Sequence, residues 1–596
     1  VDVRAGTSAP AAAGGALLLG LLAVGCAPSL PKAGGAAAGG GADGAADSGS
    51  GGGSAGGSAD GGSSGDGDGG ADGGADGGPA VDSGVEAVPT GPGPCPDLHA
   101  ADAMPAYALE LDPEVIAGLA DDYAAGRKVE RPARLRLGDQ EIDATVRLKG
   151  NPSFSWFGDK HQYVVAFNSV DRDARFHGLR KIALDAPWYD PTLLRDRLSF
   201  HAMRQMDDVP AACANHATLS INGGPPLVYA HIEPVDRELL ERIYGPEATG
   251  TLYKYGTDAV SNADAADRDR LAAFWGARTA AELEATGDVD QWLKVWAAEV
   301  LLGDDDGFVC CAHNFYLYDH PRRGLLFVPW DFDDTLELIP YATDPVEGYG
   351  RGMYAVPQVR LLMDVPAHRA RFAAHLAAML PLLDALPAQV DAFDAQLGGA
   401  PAADPLRTWG LDERAQTLAR LKDWLPARRA YLEAWTRCEA GDAEDRDGDG
   451  LPPCADLHDG LARGPELCDG LDNDHNGVID DGAALLAPGP DGRTCDDCAL
   501  RELVDREGGL SRRYLHCAEP RSRADAEARC AAAGGALGAI PDDAAWTMTW
   551  LYTWPGTSRW WLGGGSGGRC AVWDAGAGRT GTADCGGALP AICALP

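Results

Sequence analysis

Two aspartates and an asparagine at fixed intervals are the strongest chemical signal in this sequence. Asp304-Asp305-Asp306-Gly307-Phe308 closes a helix-like stretch, Trp292 to Leu302, and eight residues after Asp306 comes Asn314, in His313-Asn314-Phe315-Tyr316-Leu317-Tyr318. Seventeen residues further on, the apolar run Leu325-Leu326-Phe327-Val328-Pro329-Trp330 ends abruptly in Asp331-Phe332-Asp333-Asp334. Carboxylates at the end of an apolar strand are costly to bury unless cations or hydrogen bonds compensate them, so the arrangement points to a metal site. The order carries more information than the composition. A base, then a magnesium-ligating amide, then a magnesium-ligating carboxylate beyond a strand is the layout of kinase-type phosphoryl transfer. An acidic turn that merely caps a helix is the structural alternative.

Such a site needs elements to hold it. Alternation in Ala133-Arg134-Leu135-Arg136-Leu137 and in Ile142 to Leu148, around the turn at Gly138-Asp139, predicts an antiparallel hairpin. A third strand, Tyr163 to Phe167, follows a polar loop containing Gly150, Asn151 and Lys160. Basic side chains would then cluster at one edge of a small N-terminal sheet that could cover a polyphosphate; surface lysines on an ordinary sheet are the plain alternative. From Val359 to Cys438 the apolar residues recur at helical spacing, as in Phe372, Leu376, Met379 and Leu383 and again in Leu418, Leu421, Trp424 and Leu425. This predicts a helical C-terminal part in which Trp424 and Trp435 serve packing.

These segments carry a specific resemblance. Arg147-Leu148-Lys149-Gly150-Asn151, Lys160, Gly178-Leu179-Arg180-Lys181-Ile182, Asp190-Pro191-Thr192-Leu193-Leu194-Arg195, Ile221-Asn222-Gly223, Tyr229 to Glu233 and Pro329-Trp330-Asp331-Phe332-Asp333 stand in the order seen in the CotH family of spore-coat kinases. The resemblance runs from near Ala106 to Cys438 and implies an atypical protein-kinase fold using ATP and magnesium. It makes Asp331 the principal magnesium carboxylate, Asp333 the second acid of the same signature and Asn314 the ligating amide. Asp306 becomes the candidate to orient or deprotonate the acceptor hydroxyl, with Asp304 and Asp305 as alternatives in that register. Lys149 and Lys160 are the candidates for nucleotide phosphates, and Glu233 the partner that holds a lysine or a metal. Lys149 stands where the family usually has Arg, and the adjacent Cys310 and Cys311 depart from it. A vicinal disulfide, or pairing with Cys213, would stiffen that loop.

A second acidic region lies further along the chain. Asp445, Asp447 and Asp449 alternate before Gly450, and Asp472, Asp474 and Asn476 repeat the spacing before Gly477 and Asp480. Oxygen ligands at alternate positions can wrap one cation, the glycine allowing the sharp turn, so these residues are the expected ligands of structural calcium. The second segment departs from an EF-hand loop where Ala483 replaces the bidentate Glu. With Cys454 and Cys468 the stretch resembles MopE-like acidic metal-binding repeats of bacterial surface proteins. Beyond it, Tyr514-Leu515-His516-Cys517, Trp560-Trp561-Leu562-Gly563, Val572-Trp573-Asp574 and Ala591-Ile592-Cys593 resemble C-type-lectin-like domains. That resemblance implies bridges Cys530–Cys593 and Cys570–Cys585, with Cys517 pairing upstream. The sugar-binding loops of calcium-dependent lectins are replaced by Gly563 to Gly568 and Trp573-Asp574-Ala575, so a protein or other surface ligand is expected before a glycan.

The whole chain sets the setting. At 596 residues it is long enough for several cores, and its formal net charge of −39 would repel a phosphate backbone, which excludes nucleic acid as a partner. Of 15 cysteines, nine fall between Cys454 and Cys593 in loop-like sequence, a pattern of disulfides in an oxidising space. Zinc thiols are the alternative, but Cys495 and Cys498 form a lone Cys-x-x-Cys. An apolar run from Ala11 to Val24 leads to Ala23-Val24-Gly25-Cys26, which resembles a lipoprotein signal peptide with Cys26 as the lipidated residue; an uncleaved membrane anchor is the alternative. From Pro31 to about Pro94 the chain is almost wholly Gly, Ala, Ser and Asp and cannot form a core.

The expected organisation is thus multidomain α+β: signal peptide 1–25, linker 26–94, kinase-like domain 95–438, calcium-type module 439–497 and lectin-like domain 498–596. The expected function is an exported, lipid-anchored kinase at the periplasmic face or cell surface, acting on Ser or Thr of cell-surface or spore-coat proteins, with contact to the membrane through its anchor alone. A catalytically silent adhesion or scaffold protein working through the lectin-like domain is the alternative. Metal-dependent hydrolysis of a phosphorylated ligand would use the same acids.

Overall fold

A computed structural model describes residues 93–150, 159–245, 248–348, 356–480, 498–504, 510–539, 559–566, 568–574 and 579–596. The expected leader with Cys26, nearly all of the linker, Asn151 and Cys495 lie outside these described residues.

The first part of the chain forms β1 (Ala106–Glu110), α1 (Pro113–Ala125), β2 (Arg131–Leu137), β3 (Gln140–Leu148), β4 (Tyr163–Ala166), β5 (Lys181–Asp185), α2 (Arg195–Met203), β6 (Ala214–Ile221) and β7 (Leu227–Ile232). The expected hairpin is β2–β3, joined by Gly138 and Asp139, with Gly138 at φ 57°. Such two-residue loops need the left-handed conformation that glycine adopts without a Cβ clash. Where a small antiparallel sheet was expected, seven strands close into a barrel in the order β1-β2-β3-β4-β5-β7-β6. Closure comes from β1 pairing in parallel with β6, Tyr107 opposite Leu219. Leu109, Leu135, Val146, Val165, Ile182, Leu184 and Leu219 are fully buried in one core, which is why these apolar alternations become strands of one barrel.

Next come α3 (Arg237–Tyr244), β8 (Thr251–Lys254), β9 (Asp258–Ser261), α4 (Arg268–Gly276), α5 (Ala280–Glu284), α6 (Val289–Leu302), α7 (Phe308–Cys311), β10 (Phe315–His320) and β11 (Gly324–Pro329). The four strands make an antiparallel sheet in the order β11-β10-β8-β9. Helix α6 starts where the Asp288 side chain accepts from the Gln291 N–H and stops at Gly303, φ 66°. Phe308 pins the turn after α6 to this sheet: its ring lies 4.4 Å from that of Phe327, 4.8 Å from Phe315 and 5.6 Å from Trp296. That aromatic cluster fixes the acidic turn against the end of β11.

The expected helical region consists of α8 (Pro357–Met363), α9 (Pro366–Met379), α10 (Pro381–Leu397), α11 (Ala400–Ala403) and α12 (Leu411–Glu439). Helices α8, α9 and α10 each begin with proline, whose missing N–H has no intrahelical partner to lose there. Among the described residues no single helix is long and apolar enough to cross a membrane. Arg428 of α12 is fully buried and donates to the carbonyls of Val300, Tyr341 and Thr343, each at 2.7 Å. It thereby ties the end of α6 to the segment after Asp334.

From Gly441 to Asp480 the chain is turns without helix or strand. The disulfide Cys438–Cys454 fastens it to α12, and Arg437 pairs with the buried Asp459. The last part contains β12 (Cys498–Val504), β13 (Leu510–Ser522), α13 (Arg523–Ala532), β14 (Ala536–Leu537), β15 (Arg559–Ser566), β16 (Arg569–Asp574), β17 (Arg579–Asp584) and β18 (Ala588–Leu595). Six strands follow the order β12-β13-β18-β15-β16-β17, with β14 pairing β18. Cys530 bonds Cys593, Cys570 bonds Cys585 and Cys517 bonds the upstream Cys498, which leaves Cys498 no thiolate for zinc. Glu502 of β12 accepts from the Glu413 N–H at 3.0 Å, capping the first turn of α12, and its own N–H returns 2.8 Å to the Glu413 carboxylate.

Arg428→Met should lower stability by about 3 kcal/mol, because it strands buried carbonyls of three residues. A urea midpoint lowered by that stability loss divided by the slope, at unchanged slope, is the expected outcome, and an unchanged midpoint contradicts this role.

Candidate active site

Two chain reversals meet where α6 and β11 end. Asp304 is buried, its Oδ1 accepting from the Asp306 N–H at 3.1 Å while its Oδ2 has no partner. The loop can pass so close because residue 307 is glycine: a Cβ there would stand 2.3 Å from Asp304 Oδ2. The Asp305 N–H reaches the Asp334 carbonyl at 3.1 Å, joining the two acidic segments through the backbone. Asp306 Oδ2 accepts from Asn314 Nδ2 at 2.9 Å and lies 3.1 Å from His313 Nδ1. On the other strand the Trp330 N–H donates to the Asn314 carbonyl at 3.1 Å, and the Phe332 N–H to Asp196 Oδ1 at 2.8 Å. Asn314 and Asp331 both adopt left-handed backbone, φ 46° and 66°, a conformation rare enough outside glycine to mark a site held by its surroundings.

Lys149, just beyond β3, forms an ion pair with Asp185 at the end of β5 and stands 5.3 Å from the Trp330 ring centre. Burial works against its charge, but Asp185, Asp331 and Asp196 outweigh it and raise its pKa. Lys254, at the end of β8 opposite Tyr316, is a second cation near Asp331. Around them the carboxylates crowd. Burial and then Asp331 push the Asp196 carboxyl up, burial and then Asp331 and Asp334 push Asp333 up, and Asp334 reaches about 7 through burial and Asp306. Asp331 is raised as well, burial and neighbouring acids outweighing Lys149 and Lys254. Beneath the turn, buried Glu299 is raised to about 7 by desolvation, although it accepts from the Val309 N–H at 2.9 Å.

Asp306, Asn314, Asp331, Asp333 and Lys149 thus share one neighbourhood. The donor set, carboxylates with one amide and an orphaned buried oxygen, fits a hard divalent cation. Two other expected residues are engaged elsewhere. Lys160 is buried and pairs with Asp404 at 2.7 Å, and Asp404 also accepts from the Val228 N–H at 2.9 Å. Glu233 pairs with Arg242, 2.9 Å to its Nε, and accepts from the Cys213 N–H at 3.0 Å, so it holds neither lysine. Cys213 itself bonds Cys95, and Cys310 bonds Cys311. Sequence reasoning passed over Asp185, Asp196, Lys254 and Glu299. Asp196 adjoins Asp190 to Arg195, where a signal existed; Lys254 had none.

In the turn-rich module, ligand oxygens of Asp445, Asp447 and Asp449 lie within 4.8 Å of one another, as do those of Glu466, Asp472 and Asp474. Glu466 was not expected there. Asn476 and Asp480 stand outside these groups and accept backbone N–H groups, from Val478 at 3.0 Å and from Asp469 and Gly470 at 3.0 and 2.9 Å.

Residues 146–432 match the family model described as CotH kinase protein. The chain is also 25% identical over 260 residues to inner spore coat protein H of Bacillus subtilis (strain 168), an alignment covering 39% of this chain and 69% of that relative. The match to that model runs from β3 into α12 and spans Lys149, Asp306, Asn314 and Asp331.

Glu299 gives the site a pH signature. With its pKa raised from 4.5 to about 7, the folded protein holds a proton that the unfolded chain has released over that range. Its contribution to stability is complete below pH 4.5 and lost as the pH rises through 7. Glu299→Gln should flatten the decline in thermal midpoint between about pH 5 and about pH 8 and exceed the wild type at the upper end. Parallel wild-type and variant curves would contradict the assignment.

Proposed function

We propose that the central domain is an exported atypical protein kinase that transfers the γ-phosphate of ATP to Ser or Thr hydroxyls of cell-surface or coat proteins. The observation that carries this reading is the convergence of Asp306, Asn314 and Asp331 with Lys149 at the meeting of α6, β10, β11 and the barrel edge. It has the parts and the order of a phosphoryl-transfer site. Asp331, Asp333 and Asn314 would hold magnesium, which neutralises phosphate charge when bound. Lys149, kept protonated by Asp185 and Asp331, adds positive charge against the phosphates. Asp306, oriented by Asn314 and His313, takes the acceptor proton as the hydroxyl oxygen bonds the γ-phosphorus. The bond from that phosphorus to the β–γ bridging oxygen breaks, and ADP leaves with the electron pair.

The rest of the proposal concerns place. A coat or surface location accords with the name of the Bacillus relative, with oxidised cysteines and with an anchor at Cys26. In the module, calcium held by Asp445, Asp447 and Asp449, and by Glu466, Asp472 and Asp474, would act as structural glue. The C-terminal domain would work as a lectin-like module that presents the kinase to a protein, or less readily a glycan, on that surface.

Labelled phosphate from ATP should enter a generic protein mixture with magnesium and the wild-type chain, and fall by about 100-fold or more with Asp331→Asn or Lys149→Met. No incorporation, together with no magnesium-dependent ATP binding by calorimetry, sinks the kinase reading and leaves a silent scaffold.

A further inference from the structure

Calcium chemistry leaves part of the acidic module unexplained, because two histidines are folded into it. Ligand atoms of Asp449, Asp456 and His475 lie within 4.8 Å of one another. The Asp456 side chain is fully buried; its Oδ1 accepts from the His458 N–H at 2.9 Å, and its Oδ2 has no partner. The His475 side chain is 2% exposed, and its Nδ1 stands 3.0 Å from Asp456 Oδ1 outside hydrogen-bond geometry, so neither ring nitrogen is satisfied. The His458 ring is stacked on that of His475 with centroids 6.5 Å apart, and its Nδ1 is also buried without a partner. Buried polar atoms left unpaired cost about 1–3 kcal/mol each, so a cluster that collects several needs a shared partner.

One cation supplies it. The ligand atoms of two carboxylates and one imidazole lie close enough together to share one ion, and a proton can serve only one pair of them. The nitrogen decides the class of ion. Calcium takes six to eight oxygens and gains little from imidazole. Zinc and its neighbours accept mixed nitrogen and oxygen sets of about four ligands.

We propose that Asp449, Asp456 and His475 form a site for one borderline divalent transition-metal ion of the zinc class, with solvent free to complete the set. Asp449 also belongs to the all-oxygen group with Asp445 and Asp447, so one carboxylate joins a nitrogen-containing site to a neighbouring hard-cation site. The module thereby offers two kinds of cation site, sorted by whether a histidine completes the set. This inference does not rest on the kinase reading.

The test uses the full chain, stripped with chelator and then held in about 1 mM calcium, enough to fill extracellular-type calcium modules. Cobalt(II) serves as a visible probe and zinc as its competitor. One equivalent of cobalt should bind with a d–d absorption band that zinc abolishes, and His475→Ala and Asp456→Asn should each remove the band. Because a variant can lose the band by misfolding, zinc-edge X-ray absorption on the wild type provides an independent reading, and it should contain imidazole scattering. Cobalt displaced by calcium, a zinc shell made only of oxygen, or a band unchanged in His475→Ala each overturns the proposal.

Discussion

Like charge concentrated in a confined space governs the central domain. Asp185, Asp196, Asp304, Asp306, Asp331, Asp333 and Asp334 gather where α6 and β11 end, and burial, then mutual repulsion, raises the pKa values of Asp196, Asp304, Asp331, Asp333 and Asp334. No fold keeps such a group together for its own stability. The surroundings hold it by backbone: the Asp305 N–H on the Asp334 carbonyl, the Trp330 N–H on the Asn314 carbonyl and the Phe332 N–H on Asp196. The aromatic cluster around Phe308 and the Arg428 bonds are rigid supports beneath that framework. Lys149 and Lys254 reduce the charge without removing it. The carboxylate oxygens and the Asn314 amide are donors of the kind that suit a hard cation.

Buried polar contacts also join the central domain to the module and to β12. Tyr341, seven residues beyond Asp334, bonds through its hydroxyl to Asp472 of an acidic group in the module. Arg437 at the end of α12 reaches Asp459, and Glu413 and Glu502 exchange bonds across the start of α12. Each contact uses a charged or polar side chain that is buried on at least one partner, so none is a casual surface pair. The segment after the carboxylates at the end of β11 is therefore continuous, through Tyr341, with an acidic group suited to a cation.

What the sequence made legible was local. The β2–β3 hairpin followed from alternation and a glycine turn, the helices of the C-terminal part from apolar spacing, and the grouping of Asp306, Asn314 and Asp331 from their order. What was not legible depends on contacts between distant residues. The β1–β6 pairing that closes the barrel joins Tyr107 to Leu219, and no short-range pattern encodes it. Lys160 and Glu233 look like site residues in one dimension, yet Asp404 and Arg242 occupy them, partners 244 and 9 residues away. Glu466 and His475 lay beside an Asp-x-Asp pattern whose periodicity drew attention to Asn476 and Asp480, which stand outside the clustered groups. Spacing finds ligands that share a turn; it does not find those a second turn brings to them.

The loop from Asp304 to Asn314 shows how local and distant constraints combine. Between Asp304 and Asn314 the chain makes a hairpin-like return that includes four-residue α7 and the bonded pair Cys310 and Cys311. The sulfurs lie against the Asp305 carbonyl, on the residue whose N–H binds Asp334. A loop this short has few ways to place Asp306 opposite Asn314, and each tie narrows them: Glu299 beneath it, Phe308 in the sheet, the disulfide on its outer side. Conformational freedom removed before a ligand arrives is not lost again when it binds, so the ties favour a site assembled in advance. A phosphoryl-transfer site of the kind proposed depends mostly on position and charge; this loop fixes position and the crowded aspartates concentrate charge.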